Sequence, residues 1–115
     1  MAEAIDSKNI PALAGFITDD CTLVFGSQPP IILKEAILDF MTAFVANIEG
    51  TKHKLIEYWM ADGNKMKFVQ AEATYFLGGG KEVTLPFLDV FRLEGSLISE
   101  YLIYIDPTRC MPNKN

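Results

Sequence analysis

Apolar residues in the first half of the chain recur at the three- and four-residue steps of amphipathic helices. The segment SKNIPALAGFI offers Ser7 or Asn9 as an N-cap and places Pro11 in a first turn, where a helix accepts proline. A short strand is predicted from Thr22 to Phe25. The segment KEAILDFMTAFVANIEG then has the strongest helical pattern, with Gly50 as its predicted C-cap. Its apolar stripe comprises Ile37, Phe40, Met41, Phe44, Val45 and Ile48.

After Gly50 the pattern changes to the alternation of extended strands. The turn segments DGN and GGG, together with Gly95, separate four strand-like runs. These runs are HKLIEYWMA (53–61), KMKFVQAEATYFL (65–77), KEVTLPFLDVFRLE (81–94) and LISEYLIYID (97–106). Helices followed by a meander of long strands predict an α+β domain, with a curved antiparallel sheet wrapped around helices on one face. We expect a single domain over residues 1–108 and a loose tail over 109–115.

One acidic residue interrupts the apolar face of the third run. In an extended run, successive side chains alternate between the two faces. Asp89 is then the only polar member of a stripe formed by Val83, Leu85, Phe87, Asp89, Phe91 and Leu93. Burial should raise the pKa of its carboxyl group, and an unpartnered buried carboxyl costs several kcal/mol. Asp89 is therefore either a functional acid or a structural one, hydrogen-bonded to a neighbour such as a tyrosine.

The other strands carry further candidates. His53 is the only histidine, and it is either an acid–base group or an edge residue. Trp59 shares its parity with His53, and Tyr75 shares a face with small alanines, so both are candidate pocket wall or ordinary aromatic core. On the last strand one parity carries Tyr104 and Asp106, the latter also a candidate cap of the following turn. The opposite parity carries the apolar residues Tyr101, Ile103 and Ile105, which suggest a homodimer face.

Length and charge exclude several classes of protein. The 115 residues fit one domain, and half are hydrophobic, which is enough for a core. The net charge of −5, with no run of basic residues, argues against nucleic acid or an anionic membrane as partner. We expect a cytoplasmic protein, because neither a signal peptide nor an apolar run of roughly 20 residues is present.

The two cysteines and the spacing of the acidic residues do not suggest cofactor chemistry. Cys21 and Cys110 are too few for a disulfide scaffold or a zinc site, and we expect both to be inert. No group of His, Cys and acidic residues has metal-ligand spacing. The segment GGGK is followed by a strand, which indicates a hairpin turn and not a phosphate-binding loop. We therefore predict neither a metal nor a cofactor.

Five segments together carry a family resemblance: AIDSKNIPALAGFITDDCTLVFG, EAILDF, HKLIEYW, ATYFLGGGKEVTLPFLDVFRLEG and IYIDP. In this order and spacing they resemble the SnoaL-like branch of the nuclear transport factor 2-like superfamily. The resemblance implies a cone with a pocket at its wide end, into which the face carrying Tyr104 and Asp106 would look. Members include ketosteroid isomerases, polyketide cyclases, dehydratases, epoxide hydrolases and pure binding domains, so the fold does not fix the function.

The resemblance to ketosteroid isomerases is greatest around GSQPP and FLDVFRLEG. It implies that Asp89 occupies the position of their protonated acid, which donates a hydrogen bond to a developing enolate. Their general base corresponds to Leu23, which cannot accept a proton, and the helix with their oxyanion tyrosine would precede AEAIDSKN. Asp106 matches one acid of the epoxide hydrolases, but VQAEATY lacks the arginine they require. Polyketide cyclases, which use a single acid and a shaped pocket, are not excluded.

These observations predict an acid–base isomerase, cyclase or dehydratase that acts on a small apolar carbonyl or phenolic compound. Asp89 would donate a hydrogen bond to the oxygen that gains charge, and His53 or Asp106 would move the proton. The predicted pocket wall comprises Trp59, Tyr75, Phe87 and Tyr104. The alternatives are a ligand-binding module without chemistry and a dimerisation domain.

Overall fold

A computed structural model describes residues 2–106, which form one six-stranded sheet, one long helix and two short helical segments. The helical elements are α1 (Ala2–Asp6), a 3₁₀ helix (Ile10–Gly15) and α2 (Lys34–Ala46). The strands are β1 (Ile17–Phe25), β2 (Ile31–Ile32), β3 (Gly50–Ala61), β4 (Met66–Gly78), β5 (Lys81–Glu94) and β6 (Leu97–Tyr104). The predicted tail and Cys110 lie outside the described residues, and the domain boundary at 108 stays a prediction.

The strands lie in the order β2-β1-β6-β5-β4-β3, and the sheet is not closed. Four neighbouring pairs are antiparallel, but β1 runs parallel to β6. The sheet is therefore mixed, which corrects the prediction of a purely antiparallel one. A parallel pair needs a long connection, and α2 with the strands β2 to β5 supplies it. The predicted α+β architecture, with helices packed against one face of the sheet, is confirmed.

The predicted elements differ from the observed ones mainly in the first half of the chain. The short strand predicted from Thr22 begins five residues earlier, at Ile17. The predicted first helix is a 3₁₀ helix, with Asn9 at the N-cap position but no side-chain capping bond. The C-cap of α2 is Asn47, and Gly50 begins β3 instead. The bounds of β5 agree with the prediction at both ends, because its alternation is unbroken over its whole length.

The core lies between α2 and one face of the sheet, which we call the inner face. From α2 it receives Ile37, Met41 and Val45, and the inner face supplies residues such as Phe91 and Ile103. Further buried members are Ile5, Ile10, Leu13, Ile17, Cys21 and Leu23. Within residues 2–106, no helix is long and apolar enough to cross a membrane.

A bulge in β3 changes which side chains lie on the inner face. The pairing with β4 shifts by one residue between Leu55 and Glu57, so the alternation of side chains restarts there. Tyr58 therefore lies on the inner face, whereas Trp59 lies on the outer face and is 43% exposed. The prediction that Trp59 shares a face with His53 is wrong for this reason.

A second bulge, in β6, has the same effect on the last strand. The pairing with β5 shifts by one residue just after Ile98. Tyr101 and Ile103 are consequently buried on the inner face, whereas Tyr104 is 57% exposed on the outer face. The predicted orientation of β6 is therefore wrong, because Tyr101, Ile103 and Ile105 pack into the core of their own chain.

Candidate functional site

Asp89 lies on the inner face of β5, where it is only 6% exposed. Its Oδ2 atom accepts a long hydrogen bond of 3.5 Å from the Tyr101 hydroxyl group. Its Oδ1 atom is buried and has no hydrogen-bond partner in the described part of the chain. Burial raises the pKa of Asp89 to about 8, against a smaller lowering by the Tyr101 hydrogen bond. At neutral pH the carboxyl group is therefore largely protonated and can donate a hydrogen bond.

Tyr101 is the structural neighbour of this acid on β6. Its ring packs against Phe91 with a centroid distance of 4.8 Å. Burial, followed by the nearby carboxyl group of Asp89, raises the pKa of Tyr101 well above its ordinary value. The sequence left Asp89 as either a structural acid bonded to a tyrosine or a functional acid. Oδ2 fits the structural interpretation, because it has a tyrosine partner, and Oδ1 fits the functional one, because it has no partner in the described part of the chain.

A second acidic residue, Asp6 at the end of α1, holds His53 in place. The Nδ1 atom of His53 lies 2.6 Å from Asp6 Oδ1, and its backbone N–H donates to Oδ2 at 3.0 Å. Thr51 also donates to Oδ1, at 2.6 Å. Burial raises the pKa of Asp6, but the hydrogen bonds from Thr51 and His53 together lower it by more, so the net pKa is below 3.8.

The ionised Asp6 fixes the tautomer of the imidazole. A carboxylate accepts hydrogen bonds and cannot donate them, so Nδ1 of His53 carries the proton. The Nε2 atom of the neutral ring is then the basic nitrogen. This atom has no hydrogen-bond partner among the residues that the structure describes. The ring is also fixed by an edge contact with Phe87, at a centroid distance of 5.8 Å.

The acid and the imidazole border the same two cavities. The smaller has a volume of about 30 Å³ and the larger about 780 Å³. The smaller is sufficient for one or two waters, and the larger is within the range of small-molecule sites. Five residues line both cavities: Ile5, His53, Phe87, Asp89 and Tyr101. These side chains therefore form the boundary between the two spaces.

The structure brings together four of the seven predicted site residues. His53, Phe87 and Asp89 line both cavities, and Tyr75 lines the smaller one. Tyr75 also makes an edge contact with Phe44, at 5.8 Å between ring centroids. The small side chains predicted beside Tyr75, Ala71 and Ala73, are buried on the same face.

The other three predicted site residues lie elsewhere. Trp59 and Tyr104 are on the outer face, and Asp106 is exposed beyond the end of β6. None of the three lines either cavity. Sequence reasoning also missed Asp6 as the partner of His53 and Tyr101 as the partner of Asp89.

Metal and thiol chemistry receive no support from this geometry. Among the side chains that the structure describes (residues 4–106), no group of three His, Cys or acidic residues could hold a metal ion. Cys21 is buried in the core, and burial raises the pKa of its thiol to about 11. A thiol with a raised pKa is a poor nucleophile, in agreement with the inert role expected from the sequence.

Solved structures with the same fold come from several bacteria. A protein of unknown function with the nuclear transport factor 2-like fold, from Burkholderia pseudomallei, has a TM-score of 0.83 at 14% identity, over 95% of this chain and 87% of that one. A protein with a ketosteroid isomerase-like fold from Catenulispora acidiphila, in complex with trimethylamine, has a TM-score of 0.81 at 20% identity, over 90% and 79%. An LEH-like epoxide hydrolase from Mycobacterium tuberculosis has a TM-score of 0.78 at 15% identity, over 93% of this chain and 77% of that one.

Identities this low show a shared fold and leave the activity open. No curated protein sequence matches the chain. The sequence profile of the SnoaL-like domain, in contrast, matches residues 1–101, which is nearly the whole of the described structure. The chain belongs to the SnoaL-like domain family.

Proposed function

We propose that this protein is an acid–base enzyme of the isomerase, cyclase or dehydratase kind, acting on a small apolar carbonyl or phenolic compound. One observation carries the proposal: a buried, largely protonated carboxyl oxygen without a partner borders the same cavities as an oriented imidazole. An unpartnered buried carboxyl group is costly for folding. A ligand oxygen that accepts its hydrogen bond would offset this cost.

The two groups have complementary roles in the proposed reaction. Asp89 donates a hydrogen bond to the substrate oxygen, and this bond strengthens as the oxygen gains negative charge. His53 accepts a proton at Nε2 from the carbon next to the carbonyl group and later returns it to another atom of the substrate. Asp6 stabilises the imidazolium that exists between these steps. Asp106 has no part in this proposal, because it lies outside both cavities.

The walls of the larger cavity support an apolar substrate. Val69 and Ala71 from β4 lie beside Phe87 and Phe91 from β5, and all four line this cavity. Its outer rim includes Leu55, Tyr58 and Met60, which are between 41% and 59% exposed. Apolar walls with a few polar groups in fixed positions are typical of small-molecule sites.

The proposal is tested by titrating the carboxyl carbon of Asp89 by NMR, with and without a panel of phenols. We expect a pKa near 8 that rises further when a phenol binds. Enolisable ketones are then screened for turnover by the wild-type chain and by Asp89→Asn and His53→Gln, two variants that we expect to be inactive. The matched control is Glu57→Gln, which changes an exposed acid on the same strand as His53. Turnover that survives in both site variants refutes the acid–base mechanism.

A non-catalytic binding domain is the second candidate. The position that corresponds to the isomerase general base holds Leu23, which is fully buried in the core. A base would then have to come from elsewhere in the cavity lining, where the proposal uses His53. Phenol binding at Asp89 without turnover of any ketone would favour this candidate over the enzyme.

We also propose that the chain forms a homodimer through the outer face of the sheet. The residues first suggested for this contact are buried, but Trp59 and Tyr104 are exposed on the outer face. Large exposed aromatic side chains are enriched at interfaces between proteins. The cytoplasmic location stays a prediction.

A further inference from the structure

Lys67 is a basic residue on the apolar wall of the larger cavity. It lies on β4, opposite Phe91 of β5, and is partly buried. Its Nζ atom lies 4.9 Å from the centre of the Tyr58 ring, which also lines the cavity. The bulge in β3 brings Tyr58 to the inner face, so the same irregularity positions the ring beside the ammonium group. This contact places the positive charge at the rim of the cavity.

The other charged groups of this cavity already have partners or are neutral. Asp6 accepts hydrogen bonds from Thr51 and His53, and Asp89 is largely protonated at neutral pH. Among residues 4–106, whose side chains the structure describes, no carboxylate lies within ion-pair distance of Lys67. The ammonium group therefore contacts an aromatic ring and lacks an anion, although the chain has a net charge of −5.

We propose that Lys67 binds a carboxylate group of the ligand, so that the substrate is a small aromatic or apolar acid. The inference rests on the proposed function, because Asp89 must bind the phenol or carbonyl oxygen at the other end of the same molecule. The ammonium group would donate hydrogen bonds to the carboxylate, and the Tyr58 ring would keep it in place.

Strand geometry sets the length of such a ligand. Lys67 lies two residues from Val69, the β4 partner of Asp89, so the two rows are about 7 Å apart along the sheet. The apolar residue Val69 lies beside Asp89 in one row, and Phe91 lies beside Lys67 in the other, so apolar side chains flank both polar groups. A fused two-ring aromatic acid, with oxygen and carboxylate at opposite ends, matches this arrangement.

The test compares 6-hydroxy-2-naphthoate with its methyl ester, which has nearly the same shape but no charge on the carboxyl end. Both dissociation constants are measured by calorimetry at neutral pH. We expect the wild-type chain to bind the acid about tenfold more tightly than the ester, as for one partly buried ionic hydrogen bond. Lys67→Met keeps the apolar stem and should remove the preference, whereas Lys67→Arg should keep most of it.

The matched control is Lys52→Met, which removes an exposed lysine from the opposite face of β3 and should leave the preference unchanged. Equal binding of acid and ester by the wild-type chain refutes the role of Lys67. A preference that persists in Lys67→Met does the same. In either case the proposed function still stands if Asp89→Leu weakens binding of both ligands. If neither ligand binds the wild-type chain, the phenol site itself is refuted, and the carboxylate site with it.

Discussion

Replacing Asp89 by Asn should change the pH dependence of folding stability in a defined direction. Burial raises the pKa of Asp89 from its ordinary 3.8 to about 8. Between these values the folded chain holds a proton that the unfolded chain has released. The resulting stability is fully present below the unfolded pKa and is lost as the pH rises through the folded pKa. Asparagine does not titrate, so the variant lacks this contribution at every pH.

The magnitude follows from the shift. While one proton is bound only by the folded state, the free energy of unfolding falls by about 1.4 kcal/mol for each unit by which the pH rises. Relative to Asp89→Asn, the wild-type chain should lose about 3 kcal/mol between about pH 5 and pH 7. The loss should level off above the folded pKa, where the carboxyl group is ionised in both states.

Urea denaturation of both chains, at several pH values between about pH 5 and pH 9, measures this difference. All other titrating groups occur in both chains, so their contributions cancel to first order. The stability of Asp89→Leu should depend on pH in the same way as that of Asp89→Asn, with a constant offset, because leucine does not titrate either. At neutral pH Asp89→Leu should be as stable as the wild-type chain or more stable.

Two results would refute the reasoning. A stability difference that does not change with pH would mean that the carboxyl group has an ordinary pKa and is not dry. Large destabilisation by Asp89→Leu at every pH would mean that the carboxyl group has a structural role, through the Tyr101 hydrogen bond or through a partner of Oδ1. The acid would then belong to a hydrogen-bond network that holds the fold together, and the argument for an oxygen-binding ligand would fail.

Three further predictions concern neighbouring groups. Tyr101→Phe should raise the pKa of Asp89 further, because the Tyr101 hydrogen bond lowers it; an NMR titration that shows a lower value contradicts this. Asp6→Asn should reduce folding stability at neutral pH. The difference in stability from the wild-type chain should shrink as the pH falls below about 4, because the lowered pKa of Asp6 gives stability that is lost when the carboxylate is protonated. A stability difference that grows in acid would mean that the pKa of Asp6 is raised and not lowered. Tyr104→Lys on the outer face should convert the proposed homodimer to a 12.8 kDa monomer in light scattering, and a wild-type chain that is already monomeric at micromolar concentration removes the proposal.

The hydrophobic pattern of β5 was sufficient to predict both its bounds and the isolated acid on its apolar face. This was possible because strand alternation is a local property, and no bulge interrupts β5 between Lys81 and Arg92. The same argument failed on β3, where a single extra residue inverts every later side chain. On β6 the alternation from Glu100 to Tyr104 was correct, but the resemblance assigned the wrong one of the two faces to the pocket. The sequence of β6 did contain a signal of its bulge, since the apolar residues Ile98 and Tyr101 are out of phase with a two-residue alternation.

The sequence by itself determined the family, through five motif segments, and it determined the order of the main elements and the burial of Asp89, because these depend on local periodicity. Only the tertiary structure decided what surrounds that acid. Tyr101 reaches Asp89 through the register between the bulged strand β6 and the regular strand β5. Asp6 reaches His53 across 47 residues of chain, because α1 packs against β3. Hydrogen bonds between residues so far apart depend on how the elements pack, and no spacing within the sequence encodes that packing.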